Sequence, residues 1–378
     1  MPAALPADQP ARAPEDRARR YQRTRRLLAL ADFLLGAAVL VALLAAGWTH
    51  ALRDWALDLA SGSVVALALY FLAFTALTQA VSFPLDLWRG HLLEHHYGLS
   101  RQTLFGWLKD RLKGLALSFA LGLAAAELVY WALGRWPQTW WLLCATVFVA
   151  FFILLAQLAP VLLFPLFFKF EPLADPELVE RLLRLSERVG ARVRGVWLWR
   201  LGEKSSKSNA ALVGWGRTRR ILLADTLLEK HSPDEIEVIL AHELAHHVHS
   251  DIWKGLALQT ALTFAGFYLV HRALAAWSAP LGFSGPADFG NLPLLLLIVS
   301  AAGLLVLPLA NGFSRRLERR ADAFALRTTG RRDDFIHSME KLAQQNLAQR
   351  RPPGWIEFLF HSHPSVEKRI AFARAWRP

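Results

Sequence analysis

The chain has 378 residues, 54% of them hydrophobic, with one cysteine and a formal net charge of +12. So apolar a composition is unusual for a soluble protein and fits a polytopic membrane protein. A lone cysteine excludes both an intramolecular disulfide and a thiolate metal cluster. The positive charges cluster beside apolar segments, where they orient membrane helices and touch anionic headgroups, and no recognisable nucleic-acid module accompanies them, so no nucleic-acid partner is expected.

Residues 1–26 are polar and arginine-rich, from Arg12 to Arg26, and read as a disordered cytoplasmic tail. Six apolar segments follow, at about 27–48, 62–84, 114–134, 139–165, 255–277 and 292–312, each long enough to span a bilayer. The first is too long for a signal peptide and lacks a convincing small-residue cleavage site. The tail, the 85–113 loop, the 166–254 segment and the 313–378 segment are basic, whereas the intervening loops carry little beyond Arg53 and Arg135. Six spans with both termini inside satisfy the positive-inside rule at every loop. The expected organisation is therefore a 1–26 tail, a four-helix membrane region over 27–165, a soluble α+β insertion over 166–254, two more membrane helices over 255–312, and a helical cytoplasmic segment over 313–378.

Within the insertion, Asp175-Pro176 starts a helix that Gly190 can end. Val193 to Leu201 reads as a strand. Ala210 to Val213 and Arg220 to Leu223 flank Gly214-Trp215-Gly216-Arg217 in a hairpin pattern. Ser232-Pro233-Asp234-Glu235 then supplies an N-cap, a first-turn proline and a capping-box glutamate, and Ile236, Ile239, Leu240 and Leu244 recur at helical spacing.

His242-Glu243-Leu244-Ala245-His246 lies well inside that helix. Positions i and i+4 share a face, so both imidazoles can converge on one metal ion, while Glu243 is placed to act as general base on a water. With no cysteine available nearby, zinc must be held by His and carboxylate. A catalytic site needs a third protein ligand and an open position. Glu318, in the stretch that leaves the last span, is the best candidate, though among arginines it also reads as an ion-paired helix face. Asp322, one turn on, could accept a hydrogen bond from a liganding imidazole. His91-Leu92-Leu93-Glu94-His95 matches the inverted H-x-x-E-H order, but Gly90 and Gly98 leave it little helix. His247 and His249 extend the zinc helix in second-shell or structural roles. Glu127, ionisable in mid-span, is expected to face a watery interior or a partner.

Several ordered stretches resemble the type I CAAX prenyl endopeptidases, integral-membrane zinc metallopeptidases. They include His95-His96-Tyr97-Gly98-Leu99-Ser100-Arg101, Phe170-Glu171-Pro172-Leu173, Lys207-Ser208-Asn209-Ala210, the H-E-x-x-H, Arg315-Arg316-Leu317-Glu318 to Ala321-Asp322, and His361-Ser362-His363-Pro364. The resemblance implies that Glu318 is the third zinc ligand, that Asn209 on a sheet edge hydrogen-bonds substrate backbone, and that His363 lies near the scissile carbonyl. It also implies an all-α membrane chamber whose zinc site opens on the inside. Arg369 is a further candidate for contact with the tetrahedral oxyanion or substrate. The eukaryotic extra N-terminal span and long acidic insertion are not found, a compact form that points to a bacterial inner membrane.

The expectation is thus a mainly α polytopic protein, about six transmembrane helices forming a chamber with a small α+β cytoplasmic zinc-metallopeptidase domain. It would cleave peptide bonds on the cytoplasmic side using one Zn2+, acting on prenylated CAAX proteins by the resemblance. The alternatives are a quality-control protease for damaged membrane proteins and a non-catalytic metal-binding transporter or sensor.

Overall fold

The structure, a computed structural model, describes residues 14–214 and 219–377. The first half of the expected tail and the hairpin residues Trp215, Gly216 and Arg217 lie outside the described residues.

The chain opens with α1 (Pro14–Ala45), α2 (Trp48–Leu59) and α3 (Ser63–Leu87). A π turn (Trp88–Leu92) carries α3 into α4 (Leu93–His96). Then come α5 (Leu104–Arg135) and α6 (Trp140–Leu158), which runs through a second π turn into α7 (Phe164–Phe167). Pro84 just ahead of the first π turn and Pro160 inside the second each lack a backbone donor, which is where a helical ladder shifts its register. Residues 14–26, expected to be disordered, instead form the first turns of α1. Tertiary contacts hold them: Tyr21 is fully buried beside Leu93 and Leu99 and donates to Glu94 Oε1, and Gln22 Nε2 donates to Leu347 O at 2.8 Å.

Five helical stretches among the described residues are long and apolar enough to cross a membrane: Pro14–Ala45, Ser63–His96, Leu104–Arg135, Trp140–Phe167 and Phe289–Thr329. Many of their apolar side chains, such as Leu34, Leu72, Phe152 and Leu305, are exposed, a surface that only lipid could cover favourably. The other expected span falls in α11 (Asp251–Trp277), where Gln259, Thr263, His271 and Arg272 dilute the hydropathy. This 27-residue helix is about 40 Å long at 1.5 Å per residue and packs along α6 and along α12 (Leu292–Thr329). The loop after it carries Asp288, paired with Arg53 of α2 at 2.6 Å, and Asn291, which accepts from Tyr130 of α5 at 2.8 Å. Helix α11 therefore runs between the same two ends of the helical bundle as α12.

The soluble part contains β1 (Phe170–Pro172), α8 (Pro176–Arg188), β2 (Val196–Trp199), β3 (Ala210–Val213), β4 (Arg220–Ala224), α9 (Asp225–Leu228) and α10 (Pro233–Val248). After α12 it adds α13 (Arg332–Gln345), α14 (Gly354–Phe360) and α15 (Val366–Ala375). Asp175 caps α8 by accepting from Leu178 N at 3.0 Å, and Gly190 ends it with φ of 74°. The four strands are ordered β1-β2-β4-β3, with β2 and β4 parallel and the outer pairs antiparallel. Leu182, Leu185, Ile221, Leu223, Leu240 and Phe335 fill the core between sheet and helices, each contributing about 1.5–3 kcal/mol by leaving water.

Strand β3 is the edge. Ala224 N donates to Asn209 O at 3.0 Å, so in this register Asn209, Ala211 and Val213 pair toward β4. The backbone groups of Ala210 and Leu212 consequently point outward along the free edge. Helix α10 packs beside that strand.

Candidate metal centre

Helix α10 starts where local chemistry dictates. Ser232 Oγ accepts from Glu235 N at 3.2 Å and Glu235 Oε2 accepts from Ser232 N at 2.8 Å, the reciprocal capping box. Ile236, Leu240 and Leu244 bury one face in the soluble core. The imidazoles of His242 and His246 leave a neighbouring face one turn apart, with ring centroids separated by 5.1 Å. Glu318 reaches them from α12: Oε2 lies 3.2 Å from His242 Nε2 and Oε1 lies 3.4 Å from His246 Nε2. One donor atom from each of the three falls within 4.8 Å of the others.

The outer nitrogens set the tautomers. His242 Nδ1 is 2.9 Å from Oδ1 of the buried Asp322, and His246 Nδ1 is 3.2 Å from Asp251 Oδ2. An Nδ1–H donated to each carboxylate leaves both Nε2 atoms with bare lone pairs aimed at Glu318. Lone pairs facing carboxylate oxygens at such distances repel unless a cation sits among them. Glu318 Oε2 is buried without a hydrogen-bond partner among the described residues, as an atom reserved for an ion would be. Two imidazoles and a carboxylate form a donor set suited to zinc, so the residues fit that metal. Without an ion, burial opposes a charged His242, yet Asp322 and Glu318 outweigh it and raise the imidazole to about 9, so a proton and a metal ion compete for the Nε2 that faces Glu318.

Sequence reasoning missed Asp251, the counterpart of Asp322. It sits across the short break at Ser250, whose φ is 55°, and the chain returns it to His246 at the start of α11.

Arg369, a candidate for contact with substrate or oxyanion, is anchored on Asp322. Its Nε and Nη2 grip Asp322 at 2.9 and 2.5 Å, on the Nδ1 side of His242 and away from the converging Nε2 atoms. The side chain is 13% exposed, and through this pair it orients Asp322. Glu243 lies between the two histidines in sequence, makes no hydrogen bond among the described residues, and burial raises its carboxyl above the ordinary value. His363 comes from the loop between α14 and α15, with Nε2 3.3 Å from Glu318 Oε1, Nδ1 2.9 Å from Ser362 Oγ, and a side chain 57% exposed. Asn311 and Arg315, which sequence reasoning did not single out, pin the end of α14 to α12 by donating to Leu359 O at 2.6 Å and Glu357 O at 2.9 Å. Asn209 is exposed at the head of the β3 edge.

The inverted motif gathers no ligand set. Glu94 is taken by Tyr21 and Lys207, and His95 Nδ1 bonds His91 O within its own turn. His249 packs on Phe324 rather than on the metal face. Glu127 Oε1 is buried within the helical bundle, with no hydrogen-bond partner among the described residues.

Comparison with known proteins adds independent findings. A family profile described as Peptidase family M48 matches residues 172–377, and one described as CAAX prenyl protease N-terminal, five membrane helices, matches residues 5–169. An uncharacterized metalloprotease, YhfN of Bacillus subtilis, is 32% identical over 308 residues, covering 80% of this chain and 72% of that protein. CAAX prenyl protease 1 of Saccharomyces cerevisiae is 29% identical, covering 82% and 72%. The fold is similar to the crystal structure of S. mikatae Ste24p, with a TM-score of 0.86, 23% identity, and coverage of 96% of this chain and 89% of that one.

Proposed function

The chain belongs to peptidase family M48 and is a membrane metalloendopeptidase; from that premise we propose that His242, His246 and Glu318 hold one zinc ion, Glu243 is its general base, and the substrates are C-terminal CAAX-type segments of prenylated proteins. The observation that carries this is the pair of Nε2 atoms turned on Glu318 by Asp322 and Asp251. Membership of a peptidase family sets aside the non-catalytic transporter or sensor. The name of the yeast relative supports the prenyl substrate. The charge pattern supports a site at the cytoplasmic face, and a Bacillus relative supports a bacterial inner membrane.

When bound, zinc acidifies a water molecule and polarises the scissile carbonyl. An extended substrate adds to the free edge of β3, with Ala210 and Leu212 supplying backbone hydrogen bonds and Asn209 holding one end. Glu243, unencumbered and raised by burial, takes the proton of the attacking water and later returns it to the leaving amine nitrogen. His363, whose Nε2 lies 3.3 Å from Glu318 Oε1, donates to the oxygen that gains charge. Asp322 and Asp251 keep the imidazoles in register throughout.

The test is cleavage of a farnesylated CAAX peptide by purified, zinc-loaded protein in detergent, beside Glu243→Gln. Turnover by the native chain alone supports the reading. No turnover by either, with zinc bound stoichiometrically, removes the prenyl substrate and leaves unfolded membrane proteins as the class to try.

A further inference from the structure

Helix α14 leaves an aromatic face uncovered. Ile356 and Glu357 are buried against the protein, whereas Trp355, Phe358 and Phe360 are 63%, 57% and 52% exposed. Three such rings on so short a helix are an unfavourable surface to show to water. The height of the helix is fixed. Asn311 Nδ2 donates to Leu359 O at 2.6 Å, and Arg315 Nη1 donates to Glu357 O at 2.9 Å and to His361 O at 2.5 Å. Both donors stand on α12 where its apolar, membrane-length stretch ends.

The neighbours say what covers the rings. Leu304 lies about two turns before Asn311 on the same face of α12 and is exposed, so the surface on the membrane side of α14 is apolar and of the kind that lipid covers. Beyond Asn311, Arg316 and Arg319 are exposed and join no ion pair among the described residues. Apolar surface, then aromatic rings, then unpaired guanidinium groups follow the order of acyl chains, interface and anionic headgroups.

We propose that α14 is an interfacial anchor whose Trp355, Phe358 and Phe360 insert at the boundary between headgroups and acyl chains, in the bilayer leaflet nearest the metal centre. Two routes join the anchor to that centre. The chain runs from Phe360 through His361 and Ser362 to His363, whose Nε2 is 3.3 Å from Glu318 Oε1. Arg315 holds both the last turn of α14 and His361 O, and it lies within one turn of Glu318 on α12. Seating α14 in the interface therefore sets where His363 stands beside the metal ligands. The lipid contact is independent of the peptidase reading; its consequence for turnover rests on that reading.

Spin labelling in vesicles of phosphatidylcholine and phosphatidylglycerol tests the anchor. Cys144 is buried, so the label goes to an introduced cysteine, with the native chain as blank. The probes are Trp355→Cys and Phe358→Cys, beside Leu305→Cys on the exposed face of the span and Asp333→Cys on the exposed surface of the soluble part. Labels at positions 355 and 358 are expected to collide with dissolved oxygen more than with a water-soluble nickel chelate, as at position 305, while position 333 shows the reverse. A nickel preference at positions 355 and 358, or shielding from both reagents as inside the protein, overturns the anchor. For the coupling, the double variant Trp355→Ser, Phe358→Ser should keep its zinc and a KM within about twofold while kcat in the same vesicles falls about tenfold, because His363 loses its seat. Unchanged kcat, or loss of zinc along with it, overturns the coupling. No turnover by the native chain, with the oxygen preference kept, overturns the substrate reading and the coupling but leaves the anchor.

Discussion

Asp322→Asn separates the two duties of the buried carboxylate. Asp322 accepts from His242 Nδ1 and from two nitrogens of Arg369, with side chains 2% and 13% exposed. Asparagine has one acceptor oxygen and no charge, so it cannot serve both partners. Breaking a buried ion pair by removing one member costs about 3–5 kcal/mol, because Arg369 would stay buried with its charge uncompensated. Losing the carboxylate behind a liganding imidazole lowers metal affinity by about 10–100-fold. The assay is paired: thermal midpoint in detergent, and zinc affinity by competition with a chelator. The double variant Asp322→Asn, Arg369→Met should recover much of the stability, since no orphaned guanidinium remains, but none of the zinc affinity. Unchanged zinc affinity in Asp322→Asn would refute the argument that His242 is oriented from behind.

Other consequences follow from the same geometry. Asp251→Asn should weaken zinc by about 10–100-fold through His246, measured by the same competition. Ser232→Ala removes one half of the capping box and should lower stability by about 1 kcal/mol, seen as a lower thermal midpoint with zinc stoichiometry kept. His231 is buried, its Nδ1 bonds Leu227 O, and burial holds it below its ordinary value. Since the unfolded chain then binds the proton more readily, its contribution is full above the unfolded value near 6.5 and declines as pH falls below it. The thermal midpoint between pH 7.5 and 5.5 should therefore fall less steeply in His231→Gln than in the native chain; equal slopes would contradict this.

Much of the site was legible because its determinants are local. The capping box, the i, i+4 histidines, the Asp175 cap and the Gly190 stop each act within a few residues, so spacing alone exposes them. Glu318 lies 72 residues beyond His246 by sequence number (318 − 246), and only the resemblance raised it above a solvated arginine-rich face. What escaped was set by distant partners. Residues 14–26 look like a solvated tail until Glu94 and Leu347 are seen to hold Tyr21 and Gln22. Strand β1 is three residues long and exists because Phe170–Pro172 pairs with Trp197–Trp199. Arg369 was expected at the substrate from the family resemblance; its fork also pairs with Asp322, a partner that no spacing in the sequence announces. Helix α11 shows the reverse case: it was expected as a span, but its diluted hydropathy keeps it from being among the stretches apolar enough to cross a membrane, although it packs along α6 and α12.

The central claim is a zinc centre on His242, His246 and Glu318 served by Glu243, and one pair of variants tests it most directly. Zinc content and peptide turnover would be measured on the same samples of Glu243→Gln and Glu318→Gln. The account predicts one zinc per chain and no turnover for Glu243→Gln, and loss of both for Glu318→Gln. Full zinc in Glu318→Gln, or turnover surviving in Glu243→Gln, would contradict it.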